Sequence, residues 1–275
     1  MSLFVEQLFS LKGKTAIITG GTGVLGESMV RGLSSAGASV VILGRRLEVG
    51  QALASDITAK GGTAMAIAAD VLNKEQLLAA REAVLKKFGA IDILVNAAGG
   101  NMAGAVIAPD KTFFDLEIDQ FKKVVDLNLL GTVLPSQIFS EDMAKRKKGV
   151  IINITSMASY RPITRVVGYS AAKSAVENFT QWLATEMARK FGEGIRVNAI
   201  APGFFLTEQN RTLLTNPDGS YTARGQAAIN HTPFGRFGRP DELIGTLIWL
   251  CSDAAAFVTG VDVPVDGGFN VFAGV

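Results

Sequence analysis

Residues 14–43 constrain the fold more than any other stretch of this chain. Lys14-Thr15-Ala16-Ile17-Ile18-Thr19 is a short apolar run that ends in Gly20-Gly21-Thr22-Gly23-Val24-Leu25-Gly26. Leu25, Met29, Val30 and Leu33 then recur at helical spacing, Gly37 closes the segment, and Val40-Val41-Ile42-Leu43 is a second buried-strand pattern. Strand, glycine loop, helix, strand describes a parallel crossover, and such crossovers are right-handed almost without exception. An ordinary strand-to-helix turn would also use flexible residues. The spacing from Gly21 to Gly26, however, fits G-x-G-x-x-G in the context that motif requires. Glycines there let backbone amides approach a pyrophosphate closely, and its charge suits a helix N-terminus. Dinucleotide binding is the expectation.

The alternation continues down the chain. Residues 47–60 read as helix, 63–69 as strand, 74–88 as helix and 91–95 as strand. Helical stretches centred on 117–130 and near 133–147 lead to a strand at 149–155, a helix at 169–191 and a strand at 195–200. A helix at 240–252 and a strand at 261–265 complete the series. This pattern predicts an α/β fold, a single doubly wound parallel-sheet Rossmann-like domain over residues 1–275 with helices on both faces. Only 203–239 departs from the rhythm, with the turn signal Asn216-Pro217-Asp218-Gly219 inside it. Long irregular segments in compact domains are commonly functional, so 204–239 is read as a substrate lid.

Composition narrows the function. With 275 residues, 48% of them hydrophobic, the chain can bury a core on both sides of a sheet. Net charge is +2 and no basic stripe is present, which argues against a nucleic-acid partner. The cluster Lys145-Arg146-Lys147-Lys148 instead suits a helix C-terminus. A single cysteine, Cys251, and a single histidine, His231, argue against an internal disulfide, a thiolate cluster and a His-rich metal site, so no metal is expected. His231 reads as a loop or interface residue. Residues 1–12 lack the basic start and apolar core of a secretory signal, and no apolar run reaches membrane-spanning length. A soluble cytoplasmic protein with no membrane partner is expected.

Chemistry is suggested by Ser156 to Lys173. Tyr169 and Lys173 are four residues apart and share a helix face. A free phenol, with a pKa of about 10, is a poor base near neutrality, and a nearby ammonium favours its phenolate. Ser156 follows the apolar run Val150-Ile151-Ile152, at a strand end that could face the same space. Alone, such a pair is more often a surface pair on a helix. The second strand speaks to the cofactor: it ends in Leu43-Gly44-Arg45-Arg46, with no acid until Glu48. A carboxylate at that point binds the ribose hydroxyls of NAD, whereas an arginine accepts a 2′-phosphate, so NADP(H) is favoured over NAD(H).

Taken together, these residues resemble the short-chain dehydrogenase/reductase family from about residue 10 to residue 270. Thr19 to Gly26 resembles its cofactor loop (Gly20, Thr22, Gly23, Val24, Leu25, Gly26), with Val24 where many members of this length carry a middle glycine. Asp70-Val71 resembles the pair beside the adenine ring. Asn96-Ala97-Ala98-Gly99 resembles the family's Asn-Asn-Ala-Gly segment, with alanine for the second asparagine. Asn128 matches the structural and proton-relay asparagine, and Ser156, Tyr169 and Lys173 match the catalytic serine, tyrosine and lysine. Tyr169 and Lys173 would also touch the cofactor. Pro202-Gly203, with Phe205 and Thr207, resembles the segment that holds the nicotinamide carboxamide, and Val265-Asp266-Gly267-Gly268 the C-terminal signature. The resemblance implies NAD(P)-dependent hydride transfer between a secondary alcohol and a ketone. It implies that Lys173 lowers the phenol's pKa and that Asn128 keeps a water connected to Lys173.

Residues 96–101, 128–132 and 201–211 narrow the resemblance to a branch that interconverts D-mannonate and D-fructuronate, implying a small-molecule sugar-acid substrate. Asn101, Ser156, Arg161, Gln209, Asn210 and Arg211 are the substrate candidates, with Arg161 and Arg211 for the carboxylate. Other substrates stay open: gluconate, a ketodeoxygluconate, an acyl-carrier ketone or a steroid-like alcohol. So does a non-catalytic nucleotide-binding regulator. Phe113-Phe114, Phe204-Phe205 and Trp182 read as packing residues. Residues 169–191 carry apolar groups on more than one side, which predicts a homo-oligomer, a tetramer or dimer.

Overall fold

The computed structural model describes residues 2–274, apart from the side chains of Ser2, Leu3, Glu208 and Gln209. In order, the elements are α1 (Ser2–Phe9), β1 (Thr15–Thr19), α2 (Val24–Ser35), β2 (Ser39–Gly44), α3 (Leu47–Ala59), β3 (Ala64–Ala68), α4 (Lys74–Phe88) and β4 (Ile93–Asn96). They continue as α5 (Ile118–Val125), α6 (Gly131–Arg146), β5 (Gly149–Ile154), α7 (Met157–Tyr160), α8 (Val167–Phe191) and β6 (Ile195–Pro202). Then come α9 (Glu208–Leu214), α10 (Ala223–Asn230), α11 (Ile244–Cys251) and β7 (Asp262–Val265). The strands form one parallel sheet in the order β3-β2-β1-β4-β5-β6-β7. Strand order reverses between β1 and β4, and such a switch point opens a crevice at the strands' carboxyl ends.

The period of two along each strand sends alternate residues to opposite faces. Ile18, Ile42, Val95, Ile152 and Ile200 pack with Met29, Leu33 and Leu247 on one face. Ile17, Val41, Leu94, Ile151 and Val197 pack with Leu77, Phe139 and Leu183 on the other. Strands buried on both faces read as continuous apolar runs, which is why β1, β2 and β5 are visible in the sequence. Among the described residues no helix is long and apolar enough to cross a membrane.

Several expectations are corrected. Helix α1 was not anticipated; its sequence is short and leaves Phe4 and Val5 exposed. The two helices expected at 117–130 and 133–147 are joined through a π-turn at Asp126–Leu130. Residues 203–239 hold α9 and α10, each capped locally: the Asn210 side chain accepts the Thr207 amide, and Thr222 accepts the Gly225 amide. They escape a periodicity test because their apolar residues, Leu214, Ala228, Ile229 and Phe237, form a small cluster of their own. Phe113 and Phe114 do not pack into the core: they are 64% and 94% exposed, on a surface turn capped by Thr112 and Asp115. Trp182 is 60% exposed, because the buried stripe of α8 runs through Ala172, Val176, Thr180, Leu183 and Met187. Phe205 is buried and Phe204 stacks edge-on against Phe269, as packing residues. Lys145 and Arg146 end α6, paired with Glu141 and Asp142, and His231 caps α10.

Candidate active site

At the switch point the chain leaves β1 through a loop built for close backbone approach. Gly20 has φ 65°, and a Cβ there would meet Ala97 and Ala98 backbone atoms at 2.8 Å. A Cβ on Gly26 would lie 2.1 Å from the Gly20 carbonyl oxygen. Both positions therefore exclude a side chain, while Gly23 is stereochemically ordinary. Thr19 fastens this loop to the next strand: its Oγ1 accepts the amides of Ala97 and Ala98, each at 3.1 Å.

The result is a cleft of about 900 Å³ lined by Gly20, Thr22, Gly23, Val24, Leu25, Gly26, Arg45, Arg46, Asp70, Val71, Ala97, Ala98, Gly99 and Thr207, all expected from the sequence. Glu27, Gly44, Val49, Ala69 and Leu127 line it as well. These carry no motif of their own and could have been found only as neighbours of residues that do. The small residues, the open volume and the start of α2 fit a dinucleotide pyrophosphate. Arg46 donates to the Thr22 carbonyl at 2.6 Å, whereas Arg45 has no ion-pair partner among the described residues.

Six expected cofactor residues are not among those lining this cleft; two of them, Tyr169 and Lys173, belong to the polar cluster beyond it. Asn96 is buried, donating to Ser136 and Asn153, each at 2.9 Å, so its side chain ties β4 to β5 and α6. Pro202 is buried at the end of β6, and Phe205 belongs to the core. Gly203 is needed for packing, since a Cβ there would lie 2.6 Å from the Asp266 Cα.

Beyond Gly99 lies a polar cluster. Asn128, fully buried within the π-turn, donates from Nδ2 to the carbonyls of Gly100 (2.7 Å) and Val124 (2.8 Å), and its Oδ1 accepts the Gly100 amide (3.1 Å). A Cβ on Gly99 would lie 2.7 Å from Asn128 Oδ1 and 3.3 Å from Lys173 Nζ, so this glycine separates the two. Lys173, buried on α8, donates to the Ile154 carbonyl at 2.7 Å, and Nζ lies 5.6 Å from the centroid of the Tyr169 ring. Ser156 caps α7, its Oγ accepting the Ala158 amide at 3.1 Å, and it also hydrogen-bonds the Tyr169 phenol. Ser156, Tyr169, Lys173 and Asn128, singled out in the sequence as catalytic candidates, thus lie around one spot.

Burial dominates the electrostatics of this cluster. Burial pushes the Tyr169 phenol above its ordinary value, and its bond with Ser156 only partly opposes this. Burial lowers Lys173 itself to about 8, while the charge of Asp262 holds it up. Asp262, at the start of β7, is raised to about 6 by its own burial. Its Oδ2 accepts the Thr155 hydroxyl at 2.6 Å, and its Oδ1 is buried without a partner. Sequence reading missed Asp262, because strands β5 and β7 are joined only by tertiary structure.

The substrate candidates divide. Arg161 is tied to Asn270, donating to its carbonyl at 2.6 Å. The Asn210 side chain is consumed in capping α9 and in a 2.8 Å bond to the Phe205 carbonyl. Asn101 accepts the Met102 amide at 2.9 Å. Arg211 is exposed on α9, and the side chain of Gln209 lies outside the described residues.

Comparison with known proteins agrees with this architecture. The short chain dehydrogenase family matches over residues 14–218. UxuB of Bacillus subtilis (strain 168), an uncharacterized oxidoreductase, is 48% identical, with 97% of this chain and 98% of the relative covered. The crystal structure of a candidate D-mannonate oxidoreductase from Haemophilus influenza with bound NAD superposes with TM-score 0.91 at 39% identity, covering 98% of this chain and all of the other. A gluconate 5-dehydrogenase from Burkholderia cenocepacia J2315, in complex with NADP and tartrate, superposes with TM-score 0.86 at 36% identity, covering 96% of this chain and 98% of the other. With its glycine-loop cleft and polar cluster on a parallel seven-stranded sheet, the chain belongs to the short-chain dehydrogenase/reductase family and is an NAD(P)-dependent oxidoreductase.

Proposed function

We propose that this enzyme interconverts a secondary alcohol and a ketone of a sugar acid, with D-mannonate and D-fructuronate as the pair and NADP(H) preferred over NAD(H). The observation that carries the reading is the convergence of Ser156, Tyr169 and Lys173 next to Gly99, at the inner end of the cofactor cleft. A nucleotide-binding regulator without turnover has no need of that cluster. The likeness to the Haemophilus protein supports the sugar-acid class, and the gluconate 5-dehydrogenase supports a gluconate-type substrate as the second reading.

When bound in the cleft, the nicotinamide supplies the hydride chemistry. The chain handles one proton. In reduction, Tyr169 Oη gives its proton to the ketone oxygen, and its raised pKa keeps that proton in place at neutral pH. Ser156 Oγ, bonded to the phenol, holds the same oxygen in position. Lys173 is anchored by the Ile154 carbonyl and is a cation below about pH 8, favouring the phenolate left behind. Asn128 fixes the Gly100 backbone beside this group from both its amide and its carbonyl. Gly20 to Gly26, with Ala97 to Gly99, would hold the dinucleotide, and Arg45 its 2′-phosphate.

The chain is also proposed to act as a homo-oligomer in the cytoplasm, with exposed Trp182 on α8 facing a second copy. Purified enzyme with D-fructuronate and either NADPH or NADH, followed at the nicotinamide absorbance, tests the main reading. Turnover of another keto-acid but not of D-fructuronate would reject this substrate and leave the reaction type standing.

A further inference from the structure

The loop between Ser156 and Tyr169 carries a strained cation. Among the described residues, Lys147 and Arg165 are the only non-glycine residues with positive φ, at 53° and 73°. Lys147 ends a helix, where a left-handed residue is ordinary. Arg165 ends no helix, and non-glycine residues in this region persist where surrounding structure imposes them, often at functional sites. Its carbonyl accepts the Ile107 amide at 2.9 Å, and the next residue, Val166, caps α8, the helix that carries Tyr169. Arg165 thus sits where the loops following β4 and β5 meet.

The loop following β6 reaches the same place. From the first turn of α10, Arg224 donates to the Thr164 carbonyl at 3.2 Å and lies 3.4 Å from the Thr164 hydroxyl. Burial, and then the charge of Arg165, hold Arg224 below its ordinary value. Neither arginine has a carboxylate partner among the described residues, whereas Arg31, Arg81, Arg146, Arg236 and Arg239 each pair with an acid. Arg224 thus reaches the residue beside Arg165, and two like charges at one loop junction without a counter-ion repel each other, a cost that a bound anion relieves. In open α/β sheets this edge is where substrates lie.

We propose that Arg165 and Arg224 grip the substrate's carboxylate, in place of Arg161 and Arg211. This rests on the sugar-acid reading. Arg224 comes from the 204–239 segment, whose α10 it ties to the Thr164 carbonyl. A planar guanidinium pair suits a carboxylate's two oxygens and offers a neutral sugar much less.

The test compares wild type with Arg165→Asn and Arg224→Gln. Asparagine tolerates the left-handed backbone and glutamine retains hydrogen-bond donors toward Thr164. D-fructuronate and the neutral ketose D-fructose are the substrates, and the melting shift caused by D-mannonate with NADP⁺ is a readout independent of turnover. We expect KM for the acid to rise about 10–100-fold relative to the neutral ketose, with kcat changing less. The D-mannonate melting shift should disappear, and Arg224→Lys should recover part of the preference. An unchanged acid-to-neutral preference, or equal losses on both substrates, overturns the site. If Arg165→Asn fails to fold, Arg224→Gln alone decides. Should wild type turn over a different sugar acid in an Arg224-dependent way, the grip stands and D-fructuronate falls. Turnover of D-fructuronate untouched by either variant does the reverse, and a wild type that accepts no acid rejects both.

Discussion

The two ends of the active cleft are built on different principles. The cofactor end is made of backbone: Gly20 and Gly26 leave no room for a Cβ, and Thr19 pins Ala97 and Ala98 through their amides. The proposed substrate end is made of side chains from distant segments, such as Asn128, Ser156, Lys173 and Asp262, and the charge states of Lys173 and Asp262 are set by burial and by one another. A backbone site is fixed by local sequence and tolerates little change. A side-chain site is fixed by tertiary contact, and there one fold can change its substrate.

The sharpest test of the difference is Tyr169→Phe. Removing one hydroxyl should reduce kcat by about 10²–10⁴-fold while NADPH still binds, as read by fluorescence titration. Retained turnover would break the assignment of chemistry to the side-chain end. At the backbone end, Gly26→Ala places a methyl 2.1 Å from the Gly20 carbonyl oxygen. Cofactor affinity should fall by about 10²-fold through displacement of the loop, and normal affinity would show that the loop is not held as described.

Arg45 lies where the two principles meet, a side chain at the rim of a backbone cradle. Arg45→Ala should raise KM for NADPH by about 10–100-fold and leave that for NADH nearly unchanged. Equal effects on both would remove the 2′-phosphate reading.

The smallest effect belongs to Asp262. Its carboxyl is raised from 3.8 to about 6, so it favours the native state fully below about pH 3.8 and loses that contribution as pH rises through 6. Asp262→Asn, which can still accept from Thr155, should therefore stabilise the protein by about 1–3 kcal/mol at pH 7.5 and hardly at all near pH 4. Thermal melts at the two pH values check this. The same change removes a charge that holds Lys173 up. Ketone reduction, which needs the Lys173 cation, should decline above about pH 8 in wild type and at lower pH in the variant. An unmoved limb would uncouple the two residues.

Much of this was legible in one dimension. Buried parallel strands are continuous apolar runs, a glycine loop between strand and helix has a recognisable spacing, and Tyr169 and Lys173 are four residues apart, so local pattern located β1, β2 and β5 and put the tyrosine and lysine on one helix face. Other features depended on which distant segments meet. Asn96 and Asn210 looked like ligand-facing amides, yet their bonds go to Asn153 and to the Phe205 carbonyl. Asp262 acquires its shifted pKa only because β7 is carried to the edge of β6, within reach of Thr155. Arg165 and Arg224, separated in the chain by α8, β6 and α9, carry no shared motif. The chain by itself determined a parallel sheet, a nucleotide cradle and a tyrosine–lysine pair, because each is encoded within a few turns of chain. Only the tertiary structure decided how those groups are charged and that Arg224 reaches the loop of Arg165, because desolvation and Coulomb interaction depend on distances through space.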